Sequence, residues 1–208
     1  MDIFKIFEQL KKPGSDNHPG KISYIIAALG NPGMEYNNTR HNVGFIAADT
    51  LVKDAGGNFE KLRFKAKTAD ITIGKHRVLV LKPITYMNNS GDSVFEAMNY
   101  YKIKPDHVLI MCDEIYLNPG LIRIRRKGSH GGHNGLKSIF EVTGEENFTR
   151  IKIGVGNKPD GYNLSDWVLG KITDSDKPLM EQAFENTVDA VKLIVDGQIE
   201  KAMNKYSK

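Results

Sequence analysis

The feature that most constrains the fold is a regular alternation of short apolar runs and amphipathic segments, which starts at Lys21. Ile22–Leu29 is a nearly unbroken apolar run, which is typical of a strand buried on both faces. Further strands are predicted at Ala66–Ile73, at Arg77–Lys82, from Asp106 to Cys112, in LIRIRRK and in FTRIKIGVG. Helices are predicted at about Val43–Ala55, Asp92–Tyr101, Leu136–Val142 and Ser175–Lys205, with a break at Asp196-Gly197 in the last. The alternation predicts an α/β fold, a single-domain sandwich in which helices flank a mostly parallel, twisted sheet.

Length and cysteine content narrow the class of protein. The chain has 208 residues, which suits one compact domain with a full hydrophobic core. Cys112 is the single cysteine, so an internal disulfide and a CxxC metal site are both excluded. A reducing, cytoplasmic location fits this cysteine content. The net charge of +4 permits a polyanionic partner but does not demand one.

Residues 1–20 differ from the rest of the chain. The apolar residues of MDIFKIFEQLKK fall near helical spacing, and PGSDNHPG (Pro13–Gly20) is typical of a linker. Lys5 and Glu8 interrupt the apolar residues and no small-residue cleavage site follows, so a signal peptide is not predicted. We expect an amphipathic appendage and linker at 1–20, ahead of one domain at 21–208. Packing on the domain or on a second copy, and contact with a membrane surface, remain alternatives.

Four predicted loops are rich in hydrogen-bonding side chains, and three of them directly follow apolar strands. The loops are Gly30–Asn42, Pro83–Gly91, Asp113–Gly120 and Gly128–Gly135. In parallel α/β sheets, ligands bind beyond the carboxyl ends of the strands. The sequence therefore predicts that a functional site is assembled from these loops.

Several kinds of site fit these loops poorly. Gly30-Asn31-Pro32-Gly33 lacks the third glycine of a dinucleotide-binding turn, and GSHGGHNG lacks the Lys-Ser/Thr of a phosphate loop. His130 and His133 could ligate zinc, but no third ligand is evident nearby, and histidines that are solvated or bonded to the backbone are the alternative. Cys112 lies within an apolar strand, where a thiol is usually inert.

His41 in a polar loop and Asp113 at a strand end remain as candidates for acid–base chemistry. A carboxylate that fixes the tautomer of a histidine makes it a good general base near neutral pH. Because no nucleophilic side chain is evident, water would be the nucleophile. Asparagines from three loops, Asn31, Asn88 and Asn134, could orient that water and bind an oxyanion. The pattern predicts hydrolysis of an ester or amide, with a purely structural His–Asp contact as the alternative.

Four motifs, in this order, resemble those of bacterial-type peptidyl-tRNA hydrolases. They are GNPGMEYNNTRHNVG (30–44), PITYMNNSG (83–91), DEIYLNPG (113–120) and KGSHGGHNGLKS (127–138). The resemblance extends over about Lys21 to Lys205. It implies a monomeric single-domain α/β fold with a mixed sheet, which cleaves the ester between a peptide and the 3′ ribose of tRNA. It also implies that neither a metal nor an organic cofactor is needed.

The resemblance also implies a role for each matching residue. His41 would be the general base and Asp113 would orient it. Amides at Asn31, Asn88 and Asn134 would line the cleft, Tyr36 and Tyr86 would flank it, Met87 would belong to its apolar wall, and the glycine-rich loop would cover it. Tyr86 and Met87 could equally be core residues, and Asn42 is predicted to cap a helix rather than to react. Arg40 is expected to brace its loop through carbonyl contacts.

Basic residues fit a tRNA partner. In LIRIRRK, strand alternation places Arg123, Arg125 and Lys127 on one face. By resemblance, Arg125 and a second basic group would clamp the 5′ phosphate of tRNA, and Lys152 is preferred to Arg150 as that second group. A solvated basic strand face is the alternative.

Two residues beside Asp113 depart from the family pattern. The family usually has His where this chain has Cys112, and an acidic residue where it has Tyr116. Neither change removes a predicted catalytic group. A non-catalytic RNA-binding protein on the same fold is the alternative function. The enzyme is favoured because the chain has all five polar residues expected at the cleft, which are His41, Asp113, Asn31, Asn88 and Asn134. A hydrolase of small esters would leave the basic strand face unexplained.

Overall fold

A computed structural model describes residues 21–208, and the predicted appendage at 1–20 lies outside the described residues. One mixed sheet of seven strands forms the centre, in the order β2-β3-β4-β1-β5-β7-β6. The strands are β1 Tyr24–Ala28, β2 Lys61–Arg63, β3 Ala66–Ile73, β4 His76–Pro83, β5 Val108–Glu114, β6 Ile122–Arg125 and β7 Thr149–Gly154. Strands β4, β1, β5 and β7 pair in parallel, while β2, β3 and β6 are joined in antiparallel pairs.

Helices cover both faces of the sheet. They are α1 Val43–Asp54, α2 Ser90–Tyr101, α3 Asn134–Thr143, α4 Leu164–Leu169, α5 Lys177–Val195 and α6 Ile199–Tyr206. One buried apolar cluster joins α1, α5 and α6 to one face of the sheet, and a second joins α2 and α3 to the other. The predicted α/β sandwich is confirmed. Within residues 21–208, no helix is both long and apolar enough to cross a membrane.

Strand β1 occupies the centre because its sequence YIIAA is apolar on both faces. Its Ile25 and Ile26 are fully buried, and each belongs to a different one of the two clusters. Strands β4 and β5 flank β1, so the chain leaves the carboxyl end of β1 at a point where the strand order reverses. Such a point opens a crevice between the loops that follow neighbouring strands.

The structure differs from the local predictions in four places. The short strand β2 and the helix α4 were not predicted, and β5 continues beyond Cys112 because pairing with β7 extends to Glu114 and Gly154. Asn42 occupies the N-cap position of α1, yet its side chain makes no capping hydrogen bond. The amide of Asn42 instead binds the backbone of Asn31 on both sides, through Asn31 N–H at 2.8 Å and Asn31 C=O at 3.0 Å.

The first turn of α1 packs directly on the backbone of the central strands at Gly44. A Cβ atom at this position would lie 2.4 Å from the carbonyl oxygen of Leu29 and 2.6 Å from that of Met111. Both oxygens are backbone atoms, one directly after β1 and one within β5, so they cannot move aside as a side chain could. The glycine therefore sets how closely α1, and the loop before it, approaches the sheet.

We expect Gly44→Ala to lower the free energy of unfolding by about 2–4 kcal/mol, because one methyl group must push a helix off two strands. Chemical denaturation followed by circular dichroism measures this change. Lys53→Ala, on the exposed part of the same helix, is the matched control and should change stability by less than about 0.5 kcal/mol. Equal stabilities of the two variants would contradict the close approach.

Candidate active site

A cleft of about 510 Å³ opens at the carboxyl ends of the central strands. All four loops predicted to carry the site contribute to its lining, and α4 supplies one further wall. The lining residues include Asn31, His41, Tyr86, Met87, Asn88, Asp113, Glu114, Ile115, His130, His133, Asn134, Lys152, Leu164, Ser165, Val168 and Leu169. The loops thus supply most of the polar groups of the cleft, and α4 supplies mostly apolar side chains.

The central polar contact joins His41 and Asp113. Nδ1 of His41 lies 2.7 Å from Oδ1 of Asp113, and the carboxylate is buried. Since a carboxylate only accepts, Nδ1 carries the proton and Nε2 of His41 is left with a lone pair. Burial lowers the pKa of His41, but the charge and hydrogen bond of Asp113 outweigh burial and raise the pKa above its ordinary value. His41 therefore has the tautomer and the basicity of a general base.

A second imidazole, that of His133, approaches the same carboxylate oxygen. Its Nε2 lies 3.0 Å from Oδ1 of Asp113. Its Nδ1 accepts the backbone N–H groups of Gly135 at 3.1 Å and Leu136 at 3.4 Å, so this ring nitrogen caps α3. An accepting Nδ1 carries no proton, which makes Nε2 the donor to Asp113. His133 thus fixes the glycine-rich loop and α3 to the carboxylate that orients His41.

Asp113 is held as an anion by these two rings. Burial raises its pKa, but the imidazoles of His41 and His133 reverse the effect, so the pKa of this carboxyl lies well below its usual range. The carboxylate accordingly stays charged at any pH near neutrality, and it stabilises the imidazolium that His41 would form.

Asn31 is fixed at both its backbone and its side chain. The side chain of Asn42 bonds to the backbone of Asn31, and Oδ1 of Asn31 accepts the N–H of Met87 at 2.8 Å. Because Oδ1 is occupied, the NH₂ group is the part of the amide left to serve a ligand. The bond to Met87 also links the loop after β1 to the loop after β4.

The other residues predicted to bind substrate lie at the cleft, with one exception. Met87, Asn88 and Asn134 line it, as does Tyr86, which is half exposed at its rim. Tyr86 has φ of 60°, an unusual backbone conformation for a residue other than glycine. Tyr36 does not line the cleft; its ring packs edge-on against Tyr86, with 6.4 Å between ring centroids.

The predicted basic residues fall into two groups. Arg125 and Lys127 are exposed, and Ile122 and Ile124 are buried on the opposite face of β6, as alternation predicts. The prediction for Arg150 as a phosphate contact is not supported by the structure, because this side chain is buried. It donates to the carbonyl groups of Gly128, Ser129 and Phe148. Arg150 is therefore a brace for the base of the glycine-rich loop.

Lys152 lines the cleft but already has an anionic partner. Its Nζ lies 2.5 Å from Oε2 of Glu114, whose other oxygen accepts the N–H of Tyr116 at 3.1 Å. Burial raises the pKa of Glu114, but the bonds from Lys152 and Tyr116 outweigh it and the pKa is lowered. Lys152 and Glu114 thus form a charge pair in the floor of the cleft, and the ring of Tyr116 is exposed outside it.

The cleft contains groups for acid–base chemistry rather than for covalent catalysis. Cys112 is fully buried, and burial raises the pKa of its thiol to about 12. Within residues 21–208, the group of three side chains that could together hold a metal ion is His41, Asp113 and His133, whose ligand atoms lie within 4.8 Å of one another. Their ring nitrogens and the carboxylate are at hydrogen-bond distances, so these three groups satisfy one another.

Sequence reasoning missed three parts of the site. His133 was considered only as a zinc ligand or as a solvated or backbone-bonded histidine, although its place immediately before a helix could have suggested a cap. Glu114 adjoins Asp113 in sequence but its pairing with Lys152 depends on the neighbouring strand. Helix α4 was missed because LSDWVL is too short to show a helical period, although Asn163 precedes it as a cap.

We expect Asp113→Asn to lower the pKa of His41, because the amide keeps the shape of the carboxylate but removes the charge that opposes burial. Titration of the ring by NMR measures the shift. Asp106→Asn is the matched control, since Asp106 pairs with the exposed His107 at 3.1 Å, away from the cleft. An unchanged titration of His41 in the Asp113 variant would contradict the electrostatic coupling.

Comparison with known proteins agrees with this geometry. The model of the peptidyl-tRNA hydrolase family matches residues 25–208. The peptidyl-tRNA hydrolase of Agathobacter rectalis is 46% identical over 185 residues, which cover 88% of this chain and 100% of that protein. The peptidyl-tRNA hydrolase of Caldicellulosiruptor saccharolyticus is 42% identical, with 88% of this chain and 96% of that protein covered.

Solved structures give the same result at the level of the fold. The crystal structure of peptidyl-tRNA hydrolase from Acinetobacter baumannii superposes with a TM-score of 0.83 at 40% sequence identity, and the match covers 89% of this chain and 96% of that one. The residues that line the cleft lie within residues 25–208, the part of the chain that the family model matches. The chain therefore belongs to the peptidyl-tRNA hydrolase family.

Proposed function

We propose that the chain hydrolyses the ester between the peptide and the 3′ ribose of tRNA in peptidyl-tRNA, and that His41 activates the attacking water. The observation that carries this proposal is the buried hydrogen bond between Nδ1 of His41 and Asp113, which leaves Nε2 of His41 as a base at the cleft. Free tRNA and a peptide with a free carboxyl group are the products, so stalled or prematurely released peptidyl-tRNA is recycled.

His41 can carry out both proton transfers that the reaction needs. Nε2 of His41 takes a proton from water as the oxygen attacks the ester carbonyl, and Asp113 stabilises the imidazolium that results. Amide NH₂ groups of Asn31, Asn88 and Asn134 are the candidate donors to the oxyanion that develops. When the tetrahedral intermediate collapses, the imidazolium returns its proton to the leaving 3′ oxygen of the ribose, and His41 is neutral again.

Aromatic and apolar groups at the cleft support contacts with the substrate. The half-exposed ring of Tyr86 could stack on the terminal adenosine, and Tyr36 acts by holding that ring from the side. Met87 lies at the cleft with its side chain buried, which suits an apolar wall. The glycine-rich loop, Gly128–Gly135, borders the same space and suits a movable cover.

Phosphate contacts are proposed for the basic residues that remain accessible. Arg125 and Lys127 lie on the approach to the glycine-rich loop and carry free, exposed charges suited to the 5′ phosphate of tRNA. Lys152 is proposed as a further contact, and a phosphate there would have to compete with Glu114. No metal or organic cofactor takes part in the proposed reaction. We further propose that the protein acts in the cytoplasm as a monomer.

A non-catalytic RNA-binding protein on the same fold is the alternative function. Such a protein would need the basic surface but not the base, its orienting carboxylate or the amides around them. The chain keeps His41 and Asp113 in hydrogen-bond contact, with Asn31, Asn88 and Asn134 at the same cleft. This retained arrangement favours the enzyme.

His41→Ala tests the proposed mechanism. The variant should lower kcat by at least the roughly 10²–10⁴-fold that a positioned general base contributes, and affinity for tRNA should change little. Release of free tRNA from an N-acetyl-aminoacyl-tRNA is the measurement. His107→Ala, which removes an exposed imidazole at the start of β5, is the control and should turn over normally. Normal turnover by the His41 variant would exclude His41 as the base.

Arg125→Ala tests the phosphate contact. Loss of one cation from the binding surface should raise KM and reduce the slope of log affinity against log salt concentration by about one unit. Arg126→Ala is a close control, because the neighbouring side chain of Arg126 pairs with Glu200 instead. If the salt dependence of binding is the same in wild type and the Arg125 variant, the phosphate contact lies elsewhere.

A further inference from the structure

Helix α4 is a short wall of the cleft with two distinct faces. Leu164, Ser165, Val168 and Leu169 line the cleft, while Trp167 does not. A helix of six residues has little stability of its own, so its position depends on what packs against its outer face. That outer face contacts the loop that carries His41.

The contact is made by Arg40, the residue immediately before His41. Its guanidinium carbon lies 3.6 Å from the centroid of the Trp167 ring, which is a close stacking distance. Its Nη1 also lies 3.4 Å from the carbonyl oxygen of Trp167. Arg40 is buried and Trp167 is partly exposed, so the guanidinium shields one face of the indole from water.

Neighbouring contacts make the stack a tight fit. Backbone N–H of Arg40 donates to the carbonyl of Gly170 at 3.0 Å, and a Cβ on Gly170 would lie 3.0 Å from Nη1 of Arg40. On its other side, Nε1–H of Trp167 donates to the carbonyl of Gly156 at 3.1 Å. The indole is thus held between the catalytic loop and the loop after β7.

We propose that Arg40 is a positioning residue, which fixes the α4 wall of the cleft relative to His41 through its stack on Trp167. The proposal rests on the function proposed above, and it assigns the peptide end of the substrate to the apolar α4 wall of the cleft. His41 is oriented by Asp113 and not by Arg40, so the stack governs the binding of the peptide end rather than the basicity of His41. Arginine is required because a planar guanidinium stacks on an indole, whereas the ammonium of lysine is compact and strongly hydrated.

Arg40→Lys separates these effects. We expect KM for N-acetyl-phenylalanyl-tRNA to rise about tenfold, as loss of a desolvated stack predicts, while kcat and the pH dependence of kcat stay within about twofold of wild type. Arg63→Lys is the matched control. The guanidinium carbon of Arg63 also lies beside an aromatic ring, 5.7 Å from the centroid of Phe64, but Arg63 is in β2 at the edge of the sheet. Arg63→Lys should leave KM unchanged.

The chain has one tryptophan, so its intrinsic fluorescence reports on this contact directly. Arg40→Lys should shift the emission of Trp167 to longer wavelength as water reaches the indole, and Arg63→Lys should not. Trp167→Phe, which keeps a ring under the guanidinium, should retain a KM closer to wild type than Trp167→Leu, which keeps a large apolar side chain without a ring. This order of the two Trp167 variants distinguishes a stack from a general loss of packing.

Two results would overturn the proposal. One is an unchanged KM together with unchanged emission in Arg40→Lys. The other is a loss confined to kcat with a displaced pH profile, which would place Arg40 in the control of His41 itself. Failure of the proposed function is a separate outcome, since wild-type protein would then leave N-acetyl-phenylalanyl-tRNA intact, whereas emission of Trp167 would still report the stack.

Discussion

The site depends on one buried interaction, the hydrogen bond from Nδ1 of His41 to Oδ1 of Asp113 at 2.7 Å. Burial alone would make His41 a weaker base, because a low dielectric disfavours the imidazolium. A buried carboxylate that stays ionised reverses this effect, and the imidazoles of His41 and His133 together keep the pKa of that carboxyl low. The tautomer of His133 is in turn set by the backbone of α3. The basicity of one ring thus depends on the capping of a helix.

The sheet supplies the geometry that this interaction needs. His41 lies in the loop after β1 and Asp113 is the last residue but one of β5. These strands are parallel neighbours, so the two side chains meet although they are 72 residues apart in sequence. Gly44 allows α1 to lie directly on the strand backbones, which fixes the end of the loop that carries His41. Asn31 fixes its beginning, because its backbone bonds to the side chain of Asn42 and its Oδ1 accepts the N–H of Met87 in the loop after β4. The loop that carries His41 is therefore fixed by contacts at both of its ends.

The contacts that sequence-based interpretation did not anticipate have a common physical cause. Asn42 is at a helix N-cap, as predicted, but its side chain finds better partners across the loop in the backbone of Asn31. Arg150 was the second choice for a phosphate contact, yet its buried guanidinium donates to the carbonyl groups of Gly128 and Ser129 in the glycine-rich loop and of Phe148. Lys152 meets Glu114 because β7 lies beside β5. In each case a partner distant in the chain decided what the side chain does.

Local information in the sequence was enough for the larger features. Apolar runs and turn residues were enough to predict most strands and helices, because burial on one or two faces leaves a repeat of apolar residues in the sequence. Four motifs in order were enough to indicate the family, and with it His41, Asp113 and the asparagines of the cleft. The sequence alone could not supply the partners of Arg40, Arg150 and Lys152, the second imidazole on Asp113, or the wall formed by α4. These depend on which loops and strands become neighbours when the sheet assembles, and a six-residue helix or a single side-chain contact leaves no period in the sequence. Tertiary structure decided them because hydrogen bonds and stacking act over a few ångströms in space, whatever the separation along the chain.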